Sequence, residues 1–159
     1  MGAQCLWMNS ILPLIVRRDT RVNTYIIYWT WCFPQSFCGA VLFLVLQLFN
    51  KSQIIRHPGS KVVIRESDWI MGGISLGMYV FIPSRGYPGQ QRTRLILHEL
   101  GHTRQSLLLG PLYLLVVGVP SLLWAILKSR GFFRGKPYSW MYTEKWADRL
   151  GGEIDRGGI

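Results

Sequence analysis

The chain has 159 residues and a net charge of +10, with 49% apolar, 13% aromatic and only 16% charged residues. That length suits one domain around one core, and the charge content lies below that of ordinary soluble domains. The basic residues are scattered between apolar stretches and not gathered on one element with interleaved aromatics, which excludes nucleic acid as partner and favours anionic lipid headgroups. Cys5, Cys32 and Cys38 lack CxxC spacing. That excludes a disulfide framework or a cysteine-held metal and leaves small buried hydrophobes.

Residues Met1 to Val16 are moderately apolar, interrupted by Gln4, Asn9, Ser10 and Pro13. Arg17, Arg18 and Arg21 then precede a charge-free run from Tyr25 to Phe49. The run has the length of a bilayer-crossing helix. It is long for the apolar core of a signal peptide, and no small-residue cleavage pattern follows it. Residues 1–50 are therefore expected to form an N-terminal apolar segment with an uncleaved transmembrane helix over 25–49, kinked at Pro34.

Lys51 to Ser60 reads as a polar connection ending in the His57-Pro58-Gly59 turn. The β-branched stretch Lys61 to Arg65 predicts a strand, and Ile74 to Ile82 a second one stopped by Pro83. After a loop over Ser84 to Gln91, a helix is expected from an N-cap near Thr93 to Leu109, closed by Gly110-Pro111. Leu107 to Leu127 is a second charge-free stretch, broken at Gly110-Pro111 and Gly118-Val119-Pro120. A basic loop, Lys128 to Pro137, leads into a last helix over Ser139 to Leu150, ended by Gly151-Gly152. Residues 51–159 thus read as one mainly helical α+β domain with a short β hairpin or small sheet.

Inside the first of these helices stands His98-Glu99-Leu100-Gly101-His102. One turn of helix separates the two imidazoles, so both reach one ion from one face. Zinc lowers the pKa of a bound water to about 7, and Glu99 would act as general base on that water. Gly101 leaves room for a strand or another helix to pack closely. Burying two histidines and a glutamate in an apolar helix without a metal ion or other polar partner would be costly.

A catalytic zinc site has three protein ligands and one open position. His57 is the only other histidine, and position 108, where a metzincin would place its third, is Leu. The third ligand should then be a carboxylate among Asp19, Glu66, Asp68, Glu144, Asp148, Glu153 and Asp155. Glu144 and Asp148 lie one turn apart on the last helix, so Glu144 can reach the metal while Asp148 orients a ligand histidine. The competing reading is a solvated face with Glu144, Lys145, Asp148 and Arg149 in weak ion pairs.

The string H-E-L-G-H followed by E-K-W-A-D resembles the gluzincin arrangement. Its Glu-x-x-Ala-Asp form is similar to that of the membrane-bound prenyl-protein endopeptidase and bacterial heat-shock protease family. The resemblance implies a zincin-like domain with Glu144 as third ligand and Asp148 as supporting carboxylate. The chain lacks that family's many other membrane helices, so prenyl-protein processing is not implied. The longer strings G-H-T-R-Q-S-L-L-L-G-P-L-Y-L, V-G-V-P-S-L and T-E-K-W-A-D-R-L-G-G also resemble small uncharacterised bacterial proteins and toxin-like metallopeptidase domains, over Met71 to Gly152.

The two halves of this site bracket Leu107 to Leu127, and no further apolar span returns the chain before Glu144. A single crossing would put His98 and Glu144 on opposite sides of a membrane. The segment is therefore expected to be re-entrant or buried. Tyr138, Tyr142, Arg104 and His57 are open alternatives for stabilising an oxyanion, and Ile74 to Ile82 is a platform for an extended peptide. The expectation is a membrane-associated, zinc-dependent peptidase with Zn2+ on His98, His102 and Glu144, Glu99 as base, and a peptide or protein substrate. The alternatives are a non-catalytic, zinc-stabilised membrane protein and a toxin-type metallopeptidase acting on a partner protein.

Overall fold

The charge-free run that begins at Tyr25 does not form one helix. In the computed structural model, which describes residues 21–49, 53–55 and 61–155, it is divided between α1 (Arg21–Thr30) and α2 (Phe33–Phe49). The axes of Thr24–Thr30 and Phe33–Phe49 are bent by 95° at Trp31-Cys32. Pro34 explains the break: in a continuous helix its ring would meet the Thr30 carbonyl. In the first turn of α2 its missing N–H costs nothing. The expected kink at Pro34 is thus a full corner just before it. Among the described residues no single helix is long and apolar enough to cross a membrane, and only this bent pair reaches that length and apolarity together. Met1–Val16, Cys5, Asp19 and the His57-Pro58-Gly59 turn lie outside the described residues, as do the side chains of Glu153 and Asp155.

The fold is α+β: the described residues form five helices and a mixed four-stranded sheet. The strands are β1 (Ile54–Ile55), β2 (Val63–Ser67), β3 (Ile74–Leu76) and β4 (Tyr79–Pro83), in the order β1-β2-β4-β3. The central pair β2 and β4 is parallel, with Ile64 opposite Val80 and Glu66 opposite Ile82, while β1 and β3 add antiparallel edges. The single strand expected over Ile74 to Ile82 is instead a hairpin. Its corner is Gly77, whose φ of 62° is a left-handed value that glycine takes without a Cβ penalty. β1 was hidden in what the sequence presents as a polar connection, and β2 starts two residues later than the Lys61 expected.

Because β2 and β4 alternate sides, their two faces meet different helices. Ile64, Val80 and Ile82 pack with Val62 and Leu100 against α3 (Gln90–Leu109). On the opposite face the buried Arg65 donates to Gln47 Oε1 at 2.7 Å and lies over the Phe43 ring, both on α2. Tyr28 and Cys32 close the core beneath Met78. Cys32 is buried, whereas Cys38 is exposed, so only one of these two thiols is the small buried hydrophobe expected.

α3 begins at Gln90 behind Gly89, earlier than the Thr93 cap expected; the Thr93 amide already donates to the Gly89 carbonyl inside the first turn. Beyond Leu109 come a tight 3-10 turn (Gly110–Leu112), a π-helical turn (Leu114–Gly118), α4 (Val119–Ser129), a short turn (Tyr138–Trp140) and α5 (Tyr142–Asp155). α5 runs on through Gly151-Gly152 instead of ending there. A Cβ on Gly151 would overlap the Leu97 carbonyl of α3, and one on Gly101 would overlap the Ala147 carbonyl of α5. The two glycines, one from each helix, let the backbones of α3 and α5 approach without intervening side chains. Close packing, and not chain termination, is what Gly151 supplies.

Candidate metal centre

The crossing of α3 and α5 brings His98, His102 and Glu144 together, one ligand atom from each lying within 4.8 Å of the others. His98 Nε2 is 3.1 Å and His102 Nε2 is 3.6 Å from Glu144 Oε2. Four ligands about 2.1 Å from a tetrahedral zinc stand about 3.4 Å from one another, so the two distances to Glu144 lie near that spacing. Two imidazoles with one carboxylate are a donor set that such an ion accepts. His102 and Glu144 are buried, and His98 is nearly so.

Each imidazole is held from behind. His98 Nδ1 is 2.7 Å from Asp148 Oδ1, which leaves Nε2 directed at Glu144. His102 Nδ1 is 2.7 Å from Gln105 Oε1, and Gln105 Nε2 donates to the Thr143 carbonyl at 2.9 Å. The Thr143 carbonyl can only accept, which fixes the orientation of the Gln105 amide. Its oxygen must then accept from His102 Nδ1–H, and the lone pair of His102 falls on Nε2, on the Glu144 side. Gln105 was not singled out in the sequence; its place three residues after His102, on the same helical face, is the signal that would have found it.

Charge in this pocket is strongly coupled. Burial opposes a charged His98, but the Glu144 hydrogen bond, the Glu99 charge and Asp148 together outweigh it and push the imidazole up to about 9. Burial would raise Glu144, yet the His102 and His98 imidazoles that face it hold its carboxyl far below the ordinary range. In the absence of metal, a proton on His98 balances Glu144. A divalent ion can take over that role.

Glu99 lies on α3 beside His98 but turns toward β3. The Ser75 hydroxyl reaches both the Glu99 backbone carbonyl and Glu99 Oε2, each at 2.8 Å. Tyr113 donates in turn to the Ser75 carbonyl at 3.2 Å. A Cβ on Gly73 would overlap the Glu99 carboxylate, so the bare backbone before β3 makes room for it. Glu99 is therefore buried against the edge strand of the sheet, with an unbranched approach on one side and a hydroxyl donor on the other.

Among the described residues, the acidic candidates Glu66 and Asp68 are engaged elsewhere. Glu66 pairs with Arg92, and Asp68 with Ser84 and Arg85. The solvated ion-pair face suggested for Glu144 does not form, since Glu144 is 1% exposed. Among the oxyanion candidates, Arg104 is buried and donates to the Leu150 carbonyl at 3.2 Å, while Tyr142 donates to the Val116 carbonyl at 2.5 Å. Tyr138 is exposed, and His57 lies outside the described residues. The Leu107 to Leu127 stretch does not separate the two halves of the centre: Ser121 on α4 donates to Thr143 Oγ1 at 2.9 Å, next to Glu144.

Compared with known protein families, curated proteins and solved structures, the chain matches none of them.

Proposed function

We propose that the protein is a zinc-dependent peptide-bond hydrolase that works at a membrane. The observation that carries this reading is the convergence of His98, His102 and Glu144, whose ligand atoms all lie within 4.8 Å of one another, with Glu99 adjoining His98. Zinc bound there would supply a positive charge that activates water near neutral pH. His98, His102 and Glu144 would hold the ion, with Asp148 and Gln105 fixing the two rings. Glu99 would take the proton from the attacking water as the new C–O bond forms. It would then deliver that proton to the amine nitrogen as the C–N bond breaks. Its burial beside Ser75 keeps this carboxylate away from bulk water, and β3 beside it is an edge strand with Ile74 exposed, the kind of element that an extended peptide can join.

The membrane part of the reading is supported by the apolar outer surface of α2, where Phe37, Leu44, Leu48 and Phe49 are exposed. The bent α1–α2 pair would then enter the bilayer as a broken span or a re-entrant loop.

A second reading, a zinc site that only stabilises the fold, draws on the Ser75 bond, because there Glu99 ties α3 to β3. Glu99→Gln separates the two in detergent-purified protein. Hydrolysis of an unfolded protein such as casein should disappear with zinc content retained. Activity equal to wild type in that variant refutes the proposed role of Glu99.

A further inference from the structure

No acidic residue stands between Glu99 and Glu144, and the chain between them is exposed along much of its length. On the π-helical turn and α4, Val117 and Trp124 face inward, whereas Leu115, Val119, Leu122 and Leu123 are exposed. Beyond α4 the chain reverses through Gly131 and Phe133, both left-handed at φ of 84° and 55°. Glycine takes such values freely, but a bulky aromatic residue does so only where its surroundings hold it. The Phe133 ring is held by Trp124 and Trp140, with centroids 5.2 and 6.4 Å away.

The consequence is a turn with Phe132 and Phe133 exposed at its tip and Arg130, Arg134 and Lys136 exposed around them. Lys128 Nζ lies 5.6 Å from the Trp124 ring centroid, and Lys136 Nζ lies 5.2 Å from that of Trp140. Each ammonium is thereby seated on an indole face. Exposed aromatic rings, interleaved cations and no acid form the composition of a segment that lies in a membrane interface.

We infer that the turn over residues 130–137 is a second membrane contact, separate from the N-terminal helices and specific for anionic lipid. Phe132 and Phe133 enter the boundary between headgroups and acyl chains, and Arg130, Arg134 and Lys136 meet lipid phosphates. Charge complementarity selects the anionic bilayer over a neutral one, since each basic side chain near such a surface adds attraction that a neutral bilayer does not offer. The contact also bears on the centre, because α4 reaches Glu144 through Ser121 and Thr143, whose Oγ1 is 3.3 Å from Glu144 Oε1. The inference rests on the membrane part of the proposed function and is independent of hydrolysis.

The test uses the full chain in lipid nanodiscs of phosphatidylcholine alone, or with about one third phosphatidylglycerol, followed by amide hydrogen exchange. Exchange over 130–136 should slow by about tenfold in the anionic discs only. Phe132→Ser with Phe133→Ser should abolish that slowing, as should Arg130→Gln with Arg134→Gln and Lys136→Gln. Phe133 also packs on Trp124 and Trp140, so circular dichroism and exchange over 130–136 in detergent check that the turn persists. The Arg130, Arg134 and Lys136 set, whose side chains are exposed, carries the test where the aromatic pair disturbs it. Equal exchange in the two kinds of disc overturns the inference, as does slowing that persists in both variants. Protection of 33–49 in both discs without protection of 130–136 sinks this second contact and leaves membrane association standing. A chain that enters neither disc overturns both.

Discussion

Gln105 ties His102 to the helix that carries Glu144: its Oε1 is 2.7 Å from His102 Nδ1, and its Nε2 donates to the Thr143 carbonyl at 2.9 Å. One amide thus orients an imidazole and spaces α3 from α5. Gln105→Leu should weaken zinc binding about 10- to 100-fold, the range for losing the partner behind a ligand histidine. Gln105→Glu keeps an acceptor for the ring but loses the donor to Thr143, and should fall between that variant and wild type. Competition with a chromophoric chelator measures both. Unchanged affinity in folded Gln105→Leu would show that His102 needs no partner.

For Glu99 the expectation is a loss of turnover of about 100- to 10,000-fold in Glu99→Gln, as for removal of a general base. Gly73→Ala reaches the same group indirectly, because the added methyl would overlap the Glu99 carboxylate. Its turnover should fall while zinc content stays intact. Steady-state kinetics on a fluorogenic peptide, with metal analysis of the same sample, tests the pair.

Helix spacing gives a stability prediction. Gly101→Ala and Gly151→Ala should each cost about 1–3 kcal/mol through overpacking, read from denaturant midpoints, and should loosen zinc as Glu144 is carried away. Gly152→Ala is the control: nothing lies within 4 Å of its added methyl, so stability should stay level or rise slightly.

The protonation of the centre fixes its pH dependence. His98 is raised from 6.5 to about 9 in the folded protein, so its contribution to the metal-free fold is complete below pH 6.5 and fades as pH rises through about 9. Glu144 is depressed, and its contribution is present above its ordinary value of 4.5 and lost as pH falls toward its folded one. The metal-free protein should therefore lose stability between pH 6.5 and 9, while zinc affinity rises over the same window as the competing proton leaves. Thermal melts with and without zinc check both slopes. Parallel slopes would contradict the exchange of a proton for a metal ion.

How much of this was legible in the sequence depends on whether a feature is local. The helical spacing of His98 and His102, and of Glu144 and Asp148, is written in the chain, and the structure brings those side chains together. Gln105 is not legible in this way, because a polar residue one turn beyond a histidine acquires meaning only when Thr143 arrives from a helix far along the chain. Gly151-Gly152 reads locally as a helix stop, but the close approach of Leu97 gives Gly151 a packing role. The corner at Trp31-Cys32 lies a few residues before the kink expected at Pro34, because Pro34 acts on the carbonyl behind it. Gly77 lies within a stretch whose alternation reads as one strand; only the pairing of β3 with β4 turns it into a corner.

The central claim is that His98, His102 and Glu144 bind one metal ion, and metal analysis of the detergent-purified full chain tests it most directly. Wild type should carry about one zinc ion per chain, and His98→Ala and Glu144→Ala should each lose it while remaining folded. Wild type without zinc, or Glu144→Ala that keeps zinc at wild-type affinity, would contradict the claim.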